Sequence, residues 1–169
     1  MLRRIRLTDA GAVAAAVGAS LDHLRPWMPW ATPDAAERSS QLARVTEADQ
    51  MWESGISYTY SVLTADTGTL VGEIGLHCRP AEGSAEIGYW IALRQARRGF
   101  GTSAVQAMTS VALTLPSVRR VEIHCDEANT ASAAIPRKLG YRLDRVEAGE
   151  PTAPGETGRL MIWVRDRQR

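Results

Sequence analysis

The chain is 169 residues long, which suits one globular domain and is too short for two of ordinary size. Hydrophobic residues make up 44% of it and charged residues 23%, a composition that excludes disordered and collagen-like proteins. Its 20 basic and 19 acidic residues leave a formal charge of +1, so a field strong enough to hold nucleic acid non-specifically is absent and no nucleic-acid partner is expected.

Cysteine usage and the apolar segments favour a cytoplasmic protein. Cys78 and Cys125 do not form a CxxC pair, and without histidines at ligand spacing they predict neither a disulfide framework nor a metal site. The arginine-rich start followed by residues 10–19 imitates a secretory signal, but Thr8 and Asp9 interrupt it at a helix-cap position. No run approaches the ~18 apolar residues of a membrane span, so no membrane partner is expected.

The first third of the chain predicts a short strand and two helices. The strand covers residues 2–6, and the first helix runs from about residue 8 to Gly18. A proline-broken, tryptophan-rich segment, "LRPWMPWATP", follows it. The second helix is predicted from about Pro33 to Gly55, because proline and aspartate suit its first turn and its apolar residues share one side. These residues are Leu42, Val45, Ala48 and Trp52.

The middle of the chain predicts strands and then a helix. Residues 57–65, 69–78 and 84–92 are strand-like runs separated by turn-forming sequences, so we expect antiparallel hairpins. A helix of residues 101–115 follows and ends at Pro116. Its predicted apolar stripe consists of Ala104, Val105, Met108, Val111, Ala112 and Leu115.

The last third predicts three more strands and one short helix. Residues 117–126 alternate apolar and polar side chains, as a strand does. Asn129 is suited to cap a helix that ends at Leu139, next to a glycine. Residues 141–147 and 158–166 then form the closing strands around a turn rich in proline and glycine.

The segment "ALRQARRGFGTSAVQAM", residues 92–108, has the features of an anion site. Helix N-termini usually carry Asp or Glu, because the dipole and the free amides reward negative charge by ~0.3–1 kcal/mol each. Here no acidic residue occurs from Arg98 to Arg119, which suggests that a ligand brings the charge. The two glycines would let the backbone curl around an oxyanion, and Arg97 and Arg98 would add charge-assisted hydrogen bonds.

Two other interpretations of this segment stay open at this point. Many strand-to-helix turns contain glycine and bind nothing. The letters "GFGTSA" also fit the dinucleotide pattern G-x-G-x-x-A, with Glu122 some twenty residues on. Context argues against a dinucleotide fold, because that fold opens with its glycine turn, whereas here some ninety residues and a series of hairpins come first.

The order of elements and motifs resembles the GCN5-related N-acetyltransferase (GNAT) superfamily, and within it the RimJ/RimL-like group. "AEIGYWIALRQARRGFGTSAV" resembles the fourth strand and pyrophosphate-binding loop of that family. "HCDEANTASAAIPRKLGYRLD" resembles its fifth strand, N-x-x-S helix and closing strand, and "LDHLRPWMPWA" resembles the tryptophan-bearing segment of the group. The resemblance covers nearly the whole chain.

The resemblance implies an α/β fold: a mixed, mostly antiparallel seven-stranded sheet, splayed between its fourth and fifth strands, with helices on both faces. Residues 1–169 would form a single N-acetyltransferase domain. Acetyl-CoA would be the co-substrate, and no metal is implied.

The resemblance also implies a set of cofactor-binding residues. Backbone groups of Trp90, Ile91 and Ala92 would face the acetyl and pantetheine arm, and Asn129 and Ser132 match the N-x-x-S motif. Ser132 would lie near the sulfur and act as a proton donor. The phosphates would be held by the amides of Arg97, Arg98, Gly99, Phe100, Gly101 and Thr102.

Two positions depart from the family pattern. The loop usually begins with Gln or Arg, yet Ala96 stands there and Gln95 comes one residue early, which puts one phosphate contact in doubt. Pro136 lies inside the helix that carries Ser132. Because it has no N–H and its ring crowds the Ser132 carbonyl, we expect a bend or a widened turn beside the proposed catalytic serine.

The general base and the acceptor pocket are less defined by the sequence. Glu73 and His77 share one face of their strand and Glu86 begins the next, so each is a candidate base, and each is equally well explained as a solvated or salt-bridged strand residue. Trp27 and Trp30 are candidates for a wall of the acceptor pocket. Their more frequent roles are covering a core edge or a contact in a homodimer.

The expected function is transfer of an acetyl group from acetyl-CoA to a primary amine in a ternary complex, without an acyl-enzyme. The acceptor is either a protein N-terminal α-amine or a small-molecule amine. A non-catalytic acyl-CoA-binding or regulatory domain of the same fold is the alternative, supported by the departures at Ala96 and Pro136. A dinucleotide-dependent oxidoreductase is a distant third.

Overall fold

A single seven-stranded sheet carries the fold in the computed structural model, which describes residues 1–168. The strands lie in the order β1-β2-β3-β4-β5-β7-β6, with β4 and β5 parallel and every other neighbouring pair antiparallel. This confirms the predicted mixed, mostly antiparallel sheet. The strands are β1 (Leu2–Arg4), β2 (Ser57–Leu63), β3 (Leu70–Arg79), β4 (Ser84–Ile91), β5 (Arg120–Asp126), β6 (Arg142–Ala148) and β7 (Arg159–Asp166).

Five α-helices pack around the sheet in the described part of the chain. They are α1 (Ala10–Gly18), α2 (Leu21–Leu24), α3 (Arg38–Glu53), α4 (Phe100–Ala112) and α5 (Thr130–Lys138). The single helix predicted from Pro33 to Gly55 is wrong in its first turn, because extended backbone at Glu37 (ψ 134°) separates a short 3-10 turn from α3. The short helix α2 was not predicted. None of the helices within residues 1–168 is long and apolar enough to cross a bilayer.

The sheet is splayed between β4 and β5, as predicted. The two strands pair at only three positions, Ser84 to Glu86 against Arg120 to Glu122. Beyond this point their ladders separate, so the backbone edges that face each other are left without strand partners. The splay therefore opens a gap in the middle of the sheet.

Each face of the sheet has its own apolar core. The core under α4 and α5 contains Val105, Met108 and Ile123, and the core under α1, α2 and α3 contains Val13, Val17 and Val45. The predicted stripe of α4 is wrong at Val111, which is 56% exposed, because the buried side of this helix passes through Thr109 and a glycine instead. The two helix layers leave the gap between β4 and β5 accessible from both sides.

Replacing Gly72 with alanine is expected to lower the free energy of unfolding by about 1–3 kcal/mol. Gly72 lies in β3 opposite Ile91, and a Cβ there would overlap the carbonyl oxygen of Trp90 and come within 3.0 Å of the Ile91 Cα. Backbone on both strands would have to shift. Urea denaturation measures the change, and Gly149→Ala is the matched control because nothing lies within 4 Å of its added Cβ. Equal stability of the two variants would contradict the prediction.

Candidate active site

A cleft of about 410 Å³ passes through the gap between β4 and β5. On the side of α1, α2 and α3 (the α3 side) its lining includes Trp30 and Glu73. On the side of α4 and α5 (the α5 side) it includes Tyr89 and Ser132. The cleft thus joins side chains from opposite faces of the sheet, which alternation along a strand would keep apart.

Ser132 is held in the first turn of α5 by its neighbours. The side chain of Asn129 caps the helix by accepting a hydrogen bond from the Ser132 amide at 3.1 Å. The Ser132 hydroxyl lies 3.0 Å from the Tyr89 hydroxyl, which also donates to the Ser132 carbonyl at 3.2 Å. The two hydroxyls therefore form one hydrogen-bonded pair at the α5 side of the cleft.

Pro136 explains why Tyr89 bonds to that carbonyl. A residue with an N–H at this position would donate to the Ser132 carbonyl four residues earlier, and proline cannot. The helix nevertheless continues through Pro136 to Lys138. The carbonyl that proline leaves free is satisfied by the tyrosine hydroxyl, so this departure from the family pattern helps to fix the position of Tyr89 beside Ser132.

Tyr89 was not predicted from the sequence as a site residue. Alternation in β4 placed it among the apolar residues Ile87 and Ile91, and only the packing of α5 brings Ser132 to it. Burial raises the pKa of Tyr89 above its usual value, against the smaller effect of the Ser132 hydrogen bond. Tyr89 therefore stays protonated and is available as a hydrogen-bond donor.

Cys125 lies next to this pair, in the lining of the same cleft. Its side chain is buried and its thiol is free. Burial raises the pKa of the Cys125 thiol, and hydrogen bonding with Ser132 opposes this to a smaller extent. The thiol is thus protonated at neutral pH, which disfavours a role as a nucleophile.

Glu73 is a buried carboxylate with both oxygens engaged. One oxygen accepts from Arg44 at 2.6 Å and the other from the Trp90 indole N–H at 3.1 Å. Burial raises the pKa of Glu73, and the Arg44 charge opposes this rise. The Trp30 ring stands edge-on to Trp90 with centroids 6.1 Å apart. These four residues form one wall of the cleft, and each Glu73 oxygen accepts a hydrogen bond from a residue of that wall.

The other two candidate bases, His77 and Glu86, lie on the same face of the sheet as Glu73, two residues beyond the row of Gly75 and Gly88. In the register of β3 and β4, Glu73 stands opposite Trp90, Gly75 opposite Gly88, and His77 opposite Glu86. His77 is exposed and its Nδ1 lies 3.0 Å from the Ser57 hydroxyl, while Glu86 is ion-paired with Arg79. The two glycines leave space above the sheet, and the His77 imidazole extends into it: its Nε2 would lie 3.2 Å from a Cβ on Gly75 and 3.7 Å from one on Gly88.

The turn before α4 has the geometry of an anion site. Gly99 is the N-cap residue with φ 86°, and Arg97 also adopts a left-handed conformation, with φ 61°. No side chain caps the helix and no acidic residue lies in its first turn. A Cβ at Gly99 would meet nothing within 4 Å. The first amides of the helix therefore have no side-chain acceptor, and the space beside Gly99 is open.

Two side chains of this turn are hydrogen-bonded to each other. Arg98 donates to the Gln95 side chain at 2.5 Å, so Gln95 holds an arginine of the loop in place. Ala96, the residue that departs from the family pattern, has extended backbone with φ −60° and ψ 152°. The turn is thus formed without a polar side chain at Ala96.

The backbone of β4 meets the gap at fewer positions than predicted. The Ala92 amide donates to the Val71 carbonyl at 2.9 Å, so it is not free for a ligand, contrary to expectation. Successive residues of a strand point their backbone groups to opposite edges. Trp90 therefore faces β3 together with Ala92, and Ile91 and Tyr89 direct their amides and carbonyls into the gap.

Asp126 anchors the loop between β6 and β7 at the end of β5. It is 5% exposed, and it accepts from the amides of Thr157 and Gly158 at 3.0 Å and from that of Arg159 at 3.2 Å. Ala128 donates to its other oxygen at 2.9 Å. Burial alone would raise the pKa of Asp126, but these hydrogen bonds hold it below its usual value.

Asp126→Asn is expected to lower the thermal unfolding midpoint by about 5 °C, because the amide presents N–H groups to backbone donors. A carboxyl whose pKa is depressed by folding stabilises the fold fully at a pH above its unfolded-state pKa of about 3.9. This stabilisation is lost as the pH falls through the folded-state pKa. The difference between wild type and variant should therefore shrink on acidification. Calorimetry across this range checks it, with the exposed Glu150→Gln as control. A difference that grows in acid would contradict the assignment.

Comparison with known proteins identifies the domain type. A family model described as "Acetyltransferase (GNAT) domain" matches residues 1–142. A "putative ribosomal N-acetyltransferase YdaF" of Bacillus subtilis is 35% identical over 75 residues, which are 44% of this chain and 41% of the relative. The matched stretches span about half or less of the curated relatives.

Solved structures show the same fold over nearly the whole chain. RimL, described as a ribosomal L7/L12 alpha-N-protein acetyltransferase in complex with coenzyme A, superposes with a TM-score of 0.89 at 19% identity, covering 98% of this chain and 92% of that one. RimJ of Mycobacterium smegmatis, in complex with CoA-disulfide, has a TM-score of 0.88 at 23% identity and coverages of 98% and 80%. At these identities the likeness is one of fold.

Proposed function

The chain belongs to the GNAT acetyltransferase family, and from that premise we propose that it transfers an acetyl group from acetyl-CoA directly to a primary amine. The observation that carries this proposal is the continuity of one gap in the sheet. The strand edge at Ile91 has no β5 partner, the first turn of α4 packs against Ile91 at Gly101, and the hydroxyl pair of Ser132 and Tyr89 lines the cleft.

The residues present fit acetyl-CoA. The open amides of the turn before α4 and the exposed Arg97 and Arg98 suit a diphosphate. The backbone of Ile91 in the gap suits the acetyl carbonyl and the amide-bearing arm, and Asn129 lines the cleft nearby. When bound, the co-substrate supplies an activated thioester.

Backbone and side-chain groups of the cleft can then perform two tasks. A backbone N–H in the gap can stabilise negative charge that develops on the carbonyl oxygen. The hydroxyl pair can pass a proton to the departing sulfur, with Ser132 as donor and Tyr89 behind it as a partner that stays protonated. Alignment in the narrow cleft contributes further, since a positioned amine reacts as if at very high local concentration.

We favour a protein N-terminal α-amine as acceptor. Its pKa near ~7.7–8 leaves an appreciable neutral fraction at neutral pH, whereas a lysine near ~10.4 would need stronger help. The similar RimL protein is described as acting on a ribosomal-protein α-amine, which supports this choice. A small-molecule amine is the second candidate, with Trp27 and the half-exposed Trp30 as pocket walls.

The remaining properties follow from the same proposal. Residues 1–169 would act as one N-acetyltransferase domain, because one sheet with a core on each face accounts for the elements described. We place the protein in the cytoplasm, where acetyl-CoA and newly made proteins meet. A homodimer through the exposed Trp30 remains a prediction.

Turnover is the direct test. Enzyme, acetyl-CoA and peptides beginning with serine, alanine or methionine should release free thiol, and intact mass should show one acetyl group on the peptide α-amine. A parallel panel of small amines tests the second candidate, a small-molecule acceptor. Reactions without an acceptor give the background rate of thiol release. Tight acetyl-CoA binding by calorimetry with no turnover on either panel would support the non-catalytic acyl-CoA-binding alternative instead.

A further inference from the structure

Each carboxylate in the lining of the cleft accepts hydrogen bonds from the protein. Glu73 accepts from Arg44 and Trp90, Asp126 from the β6–β7 loop, and Glu156, through one of its oxygens, from the amides of residues 152 and 153. Glu86, outside this lining, is ion-paired with Arg79. A neutral amine that attacks a thioester must lose a proton, so a group with an available lone pair is needed at the cleft.

The α3 side of the cleft offers an acceptor a path to the gap. Thr59, Gly75 and Gly88 lie side by side across β2, β3 and β4. Two glycines in one row leave this floor low, with the wall of Glu73 and Trp90 on one side and the His77 imidazole on the other. At the far end of the floor, across the splay, β5 presents the side chain of His124.

His124 is held between two carboxylates where β4 and β5 separate. Its Nε2 lies 2.8 Å from a Glu122 oxygen, and its Nδ1 lies 3.6 Å from a Glu86 oxygen. Glu86 and Glu122 are themselves paired across the last rung of the parallel ladder. In neutral imidazole the nitrogen facing Glu122 donates the hydrogen bond, so Nδ1 carries the lone pair.

We propose that His124 Nδ1 accepts the proton released by the acceptor amine, directly or through one water. The amine nitrogen forms its bond to the acetyl carbon, the N–H bond breaks, and the proton moves to Nδ1. The sulfur leaves with the electron pair of the carbon–sulfur bond and takes its proton from the Ser132 hydroxyl, which regains a proton from water as His124 returns its own to water. This inference rests on the proposed acetyl transfer.

The surroundings of His124 suit this role. The imidazolium that forms lies between Glu86 and Glu122, so its charge is compensated on both sides. Arg79 contacts Glu86 and lies 4.0 Å from Glu122, so a positive charge also lies beside these two carboxylates. His77 stands opposite Glu86 on β3 and is the other titratable group at this end of the cleft. The His124 side chain is 16% exposed, enough to pass its proton on to water.

His124→Gln keeps a polar side chain of similar length but cannot carry the proton. We expect kcat/KM for a peptide with N-terminal serine to fall about 30-fold to 100-fold and the acid limb of its pH profile to disappear. Acetyl-CoA binding by calorimetry should stay within twofold of wild type. His23→Gln, in α2 and outside the cleft lining, is the matched control and should retain both the rate and the acid limb.

Two further measurements separate proton transfer from structural damage. His124→Ala should regain activity with added imidazole, which a collapsed site would not. Glu122→Gln should cause a smaller loss, because the amide oxygen can still position Nε2 without the charge. If His124→Gln keeps the wild-type rate and pH profile, or if His23→Gln loses the limb instead, the inference is wrong while the proposed function stands. Absence of turnover by the wild type would contradict the proposed function itself.

Discussion

Ser132→Ala is expected to lower kcat about a hundredfold while leaving the KM for acetyl-CoA nearly unchanged. The hydroxyl lies at the α5 side of the cleft, bonded to Tyr89, where it can protonate the departing sulfur. Loss of a proton donor that acts only in the transition state lowers kcat and kcat/KM together. Steady-state kinetics with a peptide acceptor, read as thiol release, measures this.

Comparison with Tyr89→Phe shows whether the pair acts as a unit. The phenylalanine removes the donor to the Ser132 carbonyl, which Pro136 cannot replace, so this variant should lose about 1–3 kcal/mol of stability as well as activity. Ser132→Ala should lose activity with little loss of stability. Ser110→Ala, an exposed hydroxyl on α4, is the control and should change neither. If Ser132→Ala turns over at the wild-type rate, the serine is not the proton donor.

Gly99→Asp is expected to weaken acetyl-CoA binding about tenfold to a hundredfold relative to Gly99→Asn. Both residues tolerate the left-handed conformation at this N-cap, so the pair differs mainly in one negative charge. At about 5 Å from a phosphate such a charge costs on the order of 1–3 kcal/mol. Calorimetric titration with acetyl-CoA gives the two dissociation constants.

The dependence of acetyl-CoA affinity on ionic strength provides a second test of the Gly99→Asp and Gly99→Asn variants. A loss caused by repulsion should diminish as ionic strength rises, because charges near the surface are screened. Gly99→Asn should bind within a fewfold of wild type, since a Cβ at this position meets open space. Equal affinity of the Asp and Asn variants would place the phosphates elsewhere and remove the main support for the proposed acetyl-CoA site.

The sequence predicted the succession of strands and helices well because local signals determine it. Turn residues separated the hairpins of β2, β3 and β4, and Asn129 marked the start of α5 through a cap that the structure confirms. The errors have local causes too. Extended backbone at Glu37 divides one predicted helix into two. The buried side of α4 includes Thr109 and not Val111, so its apolar stripe was predicted on a slightly different side.

The open turn before α4 was predictable for the same reason. Missing acidic residues and two glycines are properties of a contiguous stretch, and the structure shows left-handed residues and uncapped amides there. Splay between β4 and β5 followed from the family resemblance and not from any single residue. Its three-position ladder is visible only once the strands are packed.

Which side chains can move protons was decided by the tertiary structure. Glu73 was predicted as a candidate base or as a solvated or salt-bridged strand residue, and the structure pairs it with Arg44, 29 positions away in sequence. Tyr89 looked like a core residue, but α5 brings Ser132 to it across 43 positions. His124 was not predicted as a site residue, and the splay places it beside Glu86 and in the lining of the cleft. Sequence periodicity determines which face a side chain occupies, whereas hydrogen-bond partners and burial, which set its protonation, depend on segments distant in the chain.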